Sequence, residues 1–127
     1  MWLFTQHGFT SIVQDKDDAN YLFVRFRCKE DADSFVAFIQ EAIPGVQGFC
    51  VPIQTPDRDY HWRIRVTRDV VKAMMVAMVD KLNYTNFKDR IHTQNNHNRD
   101  EAYMETWSAM YRFQYATERP GFFRREN

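Results

Sequence analysis

The sequence predicts an α+β protein of order ββαββα with a further helix, on one mainly antiparallel four-stranded sheet whose helices pack on one face. Three observations predict it. Two stretches alternate with a period of two, Tyr21 to Cys28 and Tyr60 to Val66. An amphipathic helical pattern, Lys29 to Ile43, follows the first. A second helical run, Val70 to Val79, follows the other and is apolar except at Lys72.

The Thr55–Val66 stretch organises the chain. It starts as a polar turn, Thr55-Pro56-Asp57-Arg58-Asp59, and becomes a strand. Alternation places Tyr60, Trp62, Ile64 and Val66 on one face and His61, Arg63 and Arg65 on the other. The Tyr21 stretch repeats this, with Leu22, Val24, Phe26 and Cys28 opposite Tyr21, Phe23, Arg25 and Arg27. Each strand thus carries an Arg-x-Arg step opposite an apolar face.

The remaining elements follow from the N-terminus onward. Trp2 to Phe4 is an apolar strand start, and Phe9 to Gln14 resumes it after a bulge or bend at Gly8. Residues 15–20 are a polar hairpin loop. In the first helix Ala32, Phe35, Val36, Ile39, Ala42 and Ile43 form the core stripe, and Pro44-Gly45 ends it. Gly48 to Gln54 reads as a strand. Thr67 is the expected N-cap of the second helix, with Asp69 in its first turn. That helix, apolar nearly all round, is expected to be covered on more than one side and to end near Asn83. Tyr84 to Ile91 reads as a helical turn and His92 to Asn98 as a polar loop. Asp100 to Tyr115 reads as a third helix with a Tyr103/Trp107/Met110/Tyr111 stripe. One domain is expected over 1–115, with a poorly ordered tail over 116–127.

Composition narrows the function. The 127 residues suit one domain, and an aromatic share of 16% is ample for a core. Seventeen basic and seventeen acidic residues cancel. That argues against a generally basic nucleic-acid binder but leaves room for a local patch. Cys28 and Cys50 lie in apolar runs outside any metal-ligand spacing and read as buried free thiols of a reducing cytoplasm; a disulfide between neighbouring strands stays open. Neither a signal peptide nor a membrane-spanning run is seen, so a cytoplasmic location is expected.

The arginine face is the leading candidate site. Arg25, Arg27, Arg63 and Arg65 can grip phosphate or carboxylate, with Tyr60 and His61 flanking. Tyr21, Phe23 and His61 can stack on bases. The competing reading is a solvated face whose arginines pair with acids, and the charge balance supports it. Asp57 and Asp59, in the turn begun by Thr55, are two apart and are candidate cation ligands, although turn acids more often bind backbone N–H groups. The spacing of His92 and His97 does not suit zinc. No P-loop, GxGxxG, GxSxG, HExxH or CxxC occurs, and four glycines are too few for a phosphate-cradling loop. No metal site and no cofactor are expected.

The start Met-Trp-Leu-x-Thr-x-x-Gly-Phe, here Met1 to Phe9, resembles that of a family of small bacterial and phage proteins of no known activity. The likeness extends to Val-Arg-x-Arg (Val24 to Arg27), Thr-Pro-x-x-Asp-Tyr (Thr55 to Tyr60), Tyr-x-Asn-Phe-Lys (Tyr84 to Lys88) and the Tyr/Trp helix. It implies that the turn and the arginine strands form one unit, and implies no catalytic residue. The reading is therefore a non-catalytic module that binds a nucleotide, a nucleic-acid strand or another anion. Two alternatives stand beside it. One is a protein-interaction or inhibitor protein, such as a phage-encoded antagonist of a host defence system; the other is a metal-dependent phosphodiesterase using Asp57, Asp59 and a histidine. A homodimer is the default occupant of any leftover apolar surface.

Overall fold

The computed structural model of the chain describes residues 1–46 and 50–118. Two compact units meet in sequence at Asn83/Tyr84. The first holds a five-stranded antiparallel sheet and two helices: β1 (Trp2–Thr5), β2 (Gly8–Gln14), β3 (Tyr21–Phe26), α1 (Lys29–Ala42), β4 (Ile53–Gln54), β5 (Trp62–Thr67) and α2 (Arg68–Asp80). The sheet order is β1-β2-β3-β5-β4. The second holds α3 (Phe87–His92) and α4 (His97–Glu118).

The sheet has five strands where the sequence suggested four. Gly8 is not a bulge within one strand. The chain reverses between Thr5 and Gly8, and β1 pairs back on β2 with Thr5 opposite Gly8. Thr5 closes the turn: its hydroxyl donates to the Gly8 carbonyl at 3.0 Å and accepts the His7 N–H at 3.0 Å. The strand expected over Gly48 to Gln54 is only the two-residue β4 at the sheet edge; residues 47–49 lie outside the described residues.

Alternation in β3 and β5 sorts the faces as expected. Leu22, Val24, Phe26, Ile64 and Val66 are buried, with Ile12 from β2, against Ala32, Phe35, Val36, Phe38 and Ile39 of α1 and Val71 and Met74 of α2. Trp62 packs partly against this core. Thr67 caps α2 by accepting the Val70 N–H at 3.4 Å. α2 departs from expectation in burying only Val71 and Met74; Val76 and Val79 are exposed. α2 also stops at Asp80, three residues before Asn83. Cys50 is buried, and burial pushes its thiol up. Cys28, by contrast, is exposed, because β3 ends at Phe26 and Cys28 becomes the N-cap of α1.

In the second unit, Asn86 caps α3 through its side chain, which accepts the Asp89 N–H at 3.2 Å. The polar loop is shorter than expected, since α3 runs to His92 and α4 begins at His97. α4 also continues through Glu118, past the boundary expected at 116; residues 119–127 of the expected tail lie outside the described residues. Among the described residues, no helix is long and apolar enough to cross a membrane.

A carboxylate ties the β2–β3 loop to β5. Asp15 is buried and accepts the Asp17 N–H at 2.9 Å and Arg65 Nε at 2.8 Å. The Asp17 amide first, and then Arg65, hold its carboxyl below the usual range, while Arg65 is pushed up by the same contact. A carboxyl depressed in the fold stabilises above its unfolded value of about 4 and loses that contribution as pH falls through its own lower value. Asp15→Asn is therefore expected to lower the melting temperature at pH 7 and to flatten the loss of stability on acidification. Melting curves from pH 7 to pH 2 check this; a variant whose curve parallels the wild type throughout would show that Asp15 carries no such linkage.

Candidate anion site on the outer sheet face

The candidate site lies on the sheet face opposite the core, and strand register builds it. Arg25 of β3 stands opposite Arg63 of β5, and Phe23 opposite Arg65. Ser11 of β2 stands opposite Arg25 on the other side, and Trp2 of β1 opposite Ser11. A continuous row, Trp2–Ser11–Arg25–Arg63, therefore crosses the outer face. Its neighbour on β1 and β2 is the Phe4–Phe9 pair.

The four arginines divide into two classes. Arg27 bonds the Asp59 carbonyl at 3.1 Å and the Asp59 carboxylate at 3.3 Å. Arg65 is paired with Asp15 and lies over the Tyr21 ring, 3.7 Å from its centroid. Arg25 and Arg63 have no carboxylate within 4.0 Å among the described residues. Arg25 donates to Ser11 Oγ at 2.7 Å, and Arg63 Nε donates to Thr55 Oγ1 at 3.3 Å. Desolvation pulls the Arg63 guanidinium down, with further contributions from the positive charges of Arg58 and Arg25 against an opposing one from Asp57. Like charges directly opposite on adjacent strands destabilise a sheet. The Arg25–Arg63 pair is thus a half-buried concentration of positive charge held by neutral oxygens.

Tyr60 belongs to this face, not to the apolar face that alternation assigned it. β5 begins at Trp62, and the bend at residues 58–61 breaks the period of two. The ring is only 4% exposed. Arg27 covers it at 4.0 Å and Arg25 at 4.6 Å, and Phe9 stacks beside it at 6.5 Å. Cation–π contact fixes both guanidiniums. His61 is exposed, and its carbonyl accepts the Thr55 N–H at 2.7 Å.

Thr55 is the hinge pin of the turn. Its hydroxyl donates to the Tyr60 carbonyl at 2.8 Å while receiving Arg63, and its carbonyl accepts the Arg58 N–H at 3.0 Å. Asp57 and Asp59 are exposed, and Asp59 is engaged by Arg27. Among the described residues, no three His, Cys, Asp or Glu side chains are grouped to hold a metal ion.

Among the residues of this face that sequence reasoning missed are Ser11, Trp2, Phe4 and Phe9. Phe9 packs on Phe4 at 4.7 Å and meets Trp2 edge-on at 6.2 Å, which joins both to Tyr60. Alternation in Trp2-Leu3-Phe4 was the available signal, but only the reversal before Gly8 brings it onto the arginine side. Comparison with family models, curated proteins and solved structures found no match to this chain.

Proposed function

We propose that the chain is a non-catalytic binding module that holds an anionic ligand between Arg25 and Arg63. One observation carries the reading: Arg25 and Arg63 stand opposite each other across β3 and β5, and among the described residues neither forms an ion pair, Asp57 acting on Arg63 only from a distance. An anion placed between them gains two charge-assisted contacts and relieves their mutual repulsion. Arg27 and Arg65 frame the site, since each already has an acidic partner. Tyr60, Thr55 and the turn keep the guanidiniums oriented.

The test is calorimetric titration with inorganic pyrophosphate at low salt, on wild type and Arg63→Gln. Arg63→Gln is expected to weaken binding at least tenfold with the melting temperature unchanged or slightly raised, because a like-charge pair is removed. Arg65→Gln is the contrasting variant, expected to lower stability because it strands the buried Asp15. Unchanged affinity in Arg63→Gln would overturn the assignment.

A second reading, a protein-interaction module, is favoured by α4. None of its 22 residues is buried. Trp107, Met110, Tyr111 and Phe113 are exposed, and Trp107 and Tyr111 stack at 5.4 Å along one helix face. Exposed aromatic and Met side chains are the composition of interface cores. A second copy of the chain is the simplest occupant. Light scattering is expected to give a dimer mass that Trp107→Glu reduces to the monomer; a wild-type monomer across micromolar concentrations removes the homodimer.

A further inference from the structure

We infer that the anion is a strand of single-stranded nucleic acid, with phosphate at Arg25 and Arg63 and a base on Trp2. This rests on the anion reading and extends it across the sheet. Trp2 is 68% exposed and Phe4 39%. Both stand on the arginine face beside Phe9, which meets Trp2 edge-on and packs on Phe4. A ring held on a rigid strand with its surface in water is a stacking platform, and bases of any identity have a π-face to offer it.

Geometry selects among nucleic-acid ligands. Tyr60 cannot receive a base, because Arg25, Arg27 and Phe9 already cover its ring. The most exposed ring of the row is that of Trp2 on β1, three strands from Arg63. At roughly 4.8 Å per strand the two ends lie about 14 Å apart. That span requires more than one nucleotide. A duplex keeps its base faces stacked internally, so it has none to place on Trp2. The phosphodiester charge complements two guanidiniums that form no ion pair among the described residues, whereas an acidic peptide would leave the Trp2 ring without a planar partner.

Fluorescence anisotropy with labelled oligomers tests this. The probes are octathymidylate, an abasic octamer with the same phosphates, and unlabelled pyrophosphate as competitor. Octathymidylate is expected to bind about tenfold or more tightly than the abasic octamer. Trp2→Ala should reduce it to the abasic level without altering competition by pyrophosphate, and Trp2→Phe should restore most of the difference. With one phosphate engaged between the two guanidiniums, the log–log salt slope should be about −0.7. Equal affinity for the two octamers would overturn the nucleic-acid assignment and leave the anion site standing. Failure of all three probes, or displacement that Arg63→Gln does not weaken, would remove the anion site and this inference with it.

Discussion

Phe26→Ala is expected to cost about 3–5 kcal/mol, the range for truncating a fully buried phenylalanine. Phe26 sits on β3 with no exposed surface, and its ring meets that of Phe35 on α1 at 5.3 Å, also fully buried. The pair joins the sheet to the helix that covers it. Its truncation leaves a cavity in the buried cluster to which Val24, Ile39 and Ile64 also belong. Backbone strands cannot close onto such a space without breaking the β3–β5 ladder. Phe35→Ala should have a similar cost. The double variant should cost less than the sum, because the two rings share one contact. Urea unfolding of the four proteins measures all three quantities. Strict additivity would mean that the rings are buried side by side without depending on each other.

Gly8→Ala is the second large effect, expected at about 2–5 kcal/mol from backbone strain and a lost hydrogen bond together. Gly8 has a φ of 132°, a conformation that side chains rarely adopt. A Cβ there would also lie 2.5 Å from Asp31 Oδ1 and 2.8 Å from Oδ2. Asp31 is a buried residue of α1, and its Oδ2 accepts the Phe9 N–H at 3.0 Å. The missing side chain at residue 8 is therefore the space through which α1 clamps the β1–β2 hairpin. Asp31→Ala removes the clamp without the strain and should cost less than Gly8→Ala. If Gly8→Ala melts like the wild type, neither the backbone conformation nor the close approach governs this hairpin.

Much of the architecture was legible because it rests on local chemistry. The faces of β3 and β5 follow from strict alternation, α1 from helical spacing of Ala32, Phe35, Val36 and Ile39, and the start of α2 from Thr67. The misreadings share a different origin. The reversal before Gly8 uses Thr5-Gln6-His7, which lacks the usual Asn-Gly or Asp-Gly signature, so a hairpin looked like one interrupted strand. Tyr60 was placed by extending a strand pattern into a bend. Four arginines looked equivalent in sequence; register sets Arg25 opposite Arg63, and ion pairs with Asp59 and Asp15 set Arg27 and Arg65 apart. Register and distant ion pairs are tertiary properties, and alternation alone does not specify them.

The pairing of β3 with β5 also has a kinetic meaning. Those strands are joined through α1 and β4, so their ladder closes a long loop, and contacts of this kind tend to form slowly. Arg25 and Arg63 become neighbours only when that loop is shut. A hairpin formed early from β2 and β3 would present Arg25 alone. An anion held by both guanidiniums, as proposed, would have little to hold in a partly folded chain, so it would act on folding mainly by slowing escape from the native state. Occupancy of the proposed site would be coupled to persistence of the first unit, and a ligand would lengthen the lifetime of the fold before it hastened its birth.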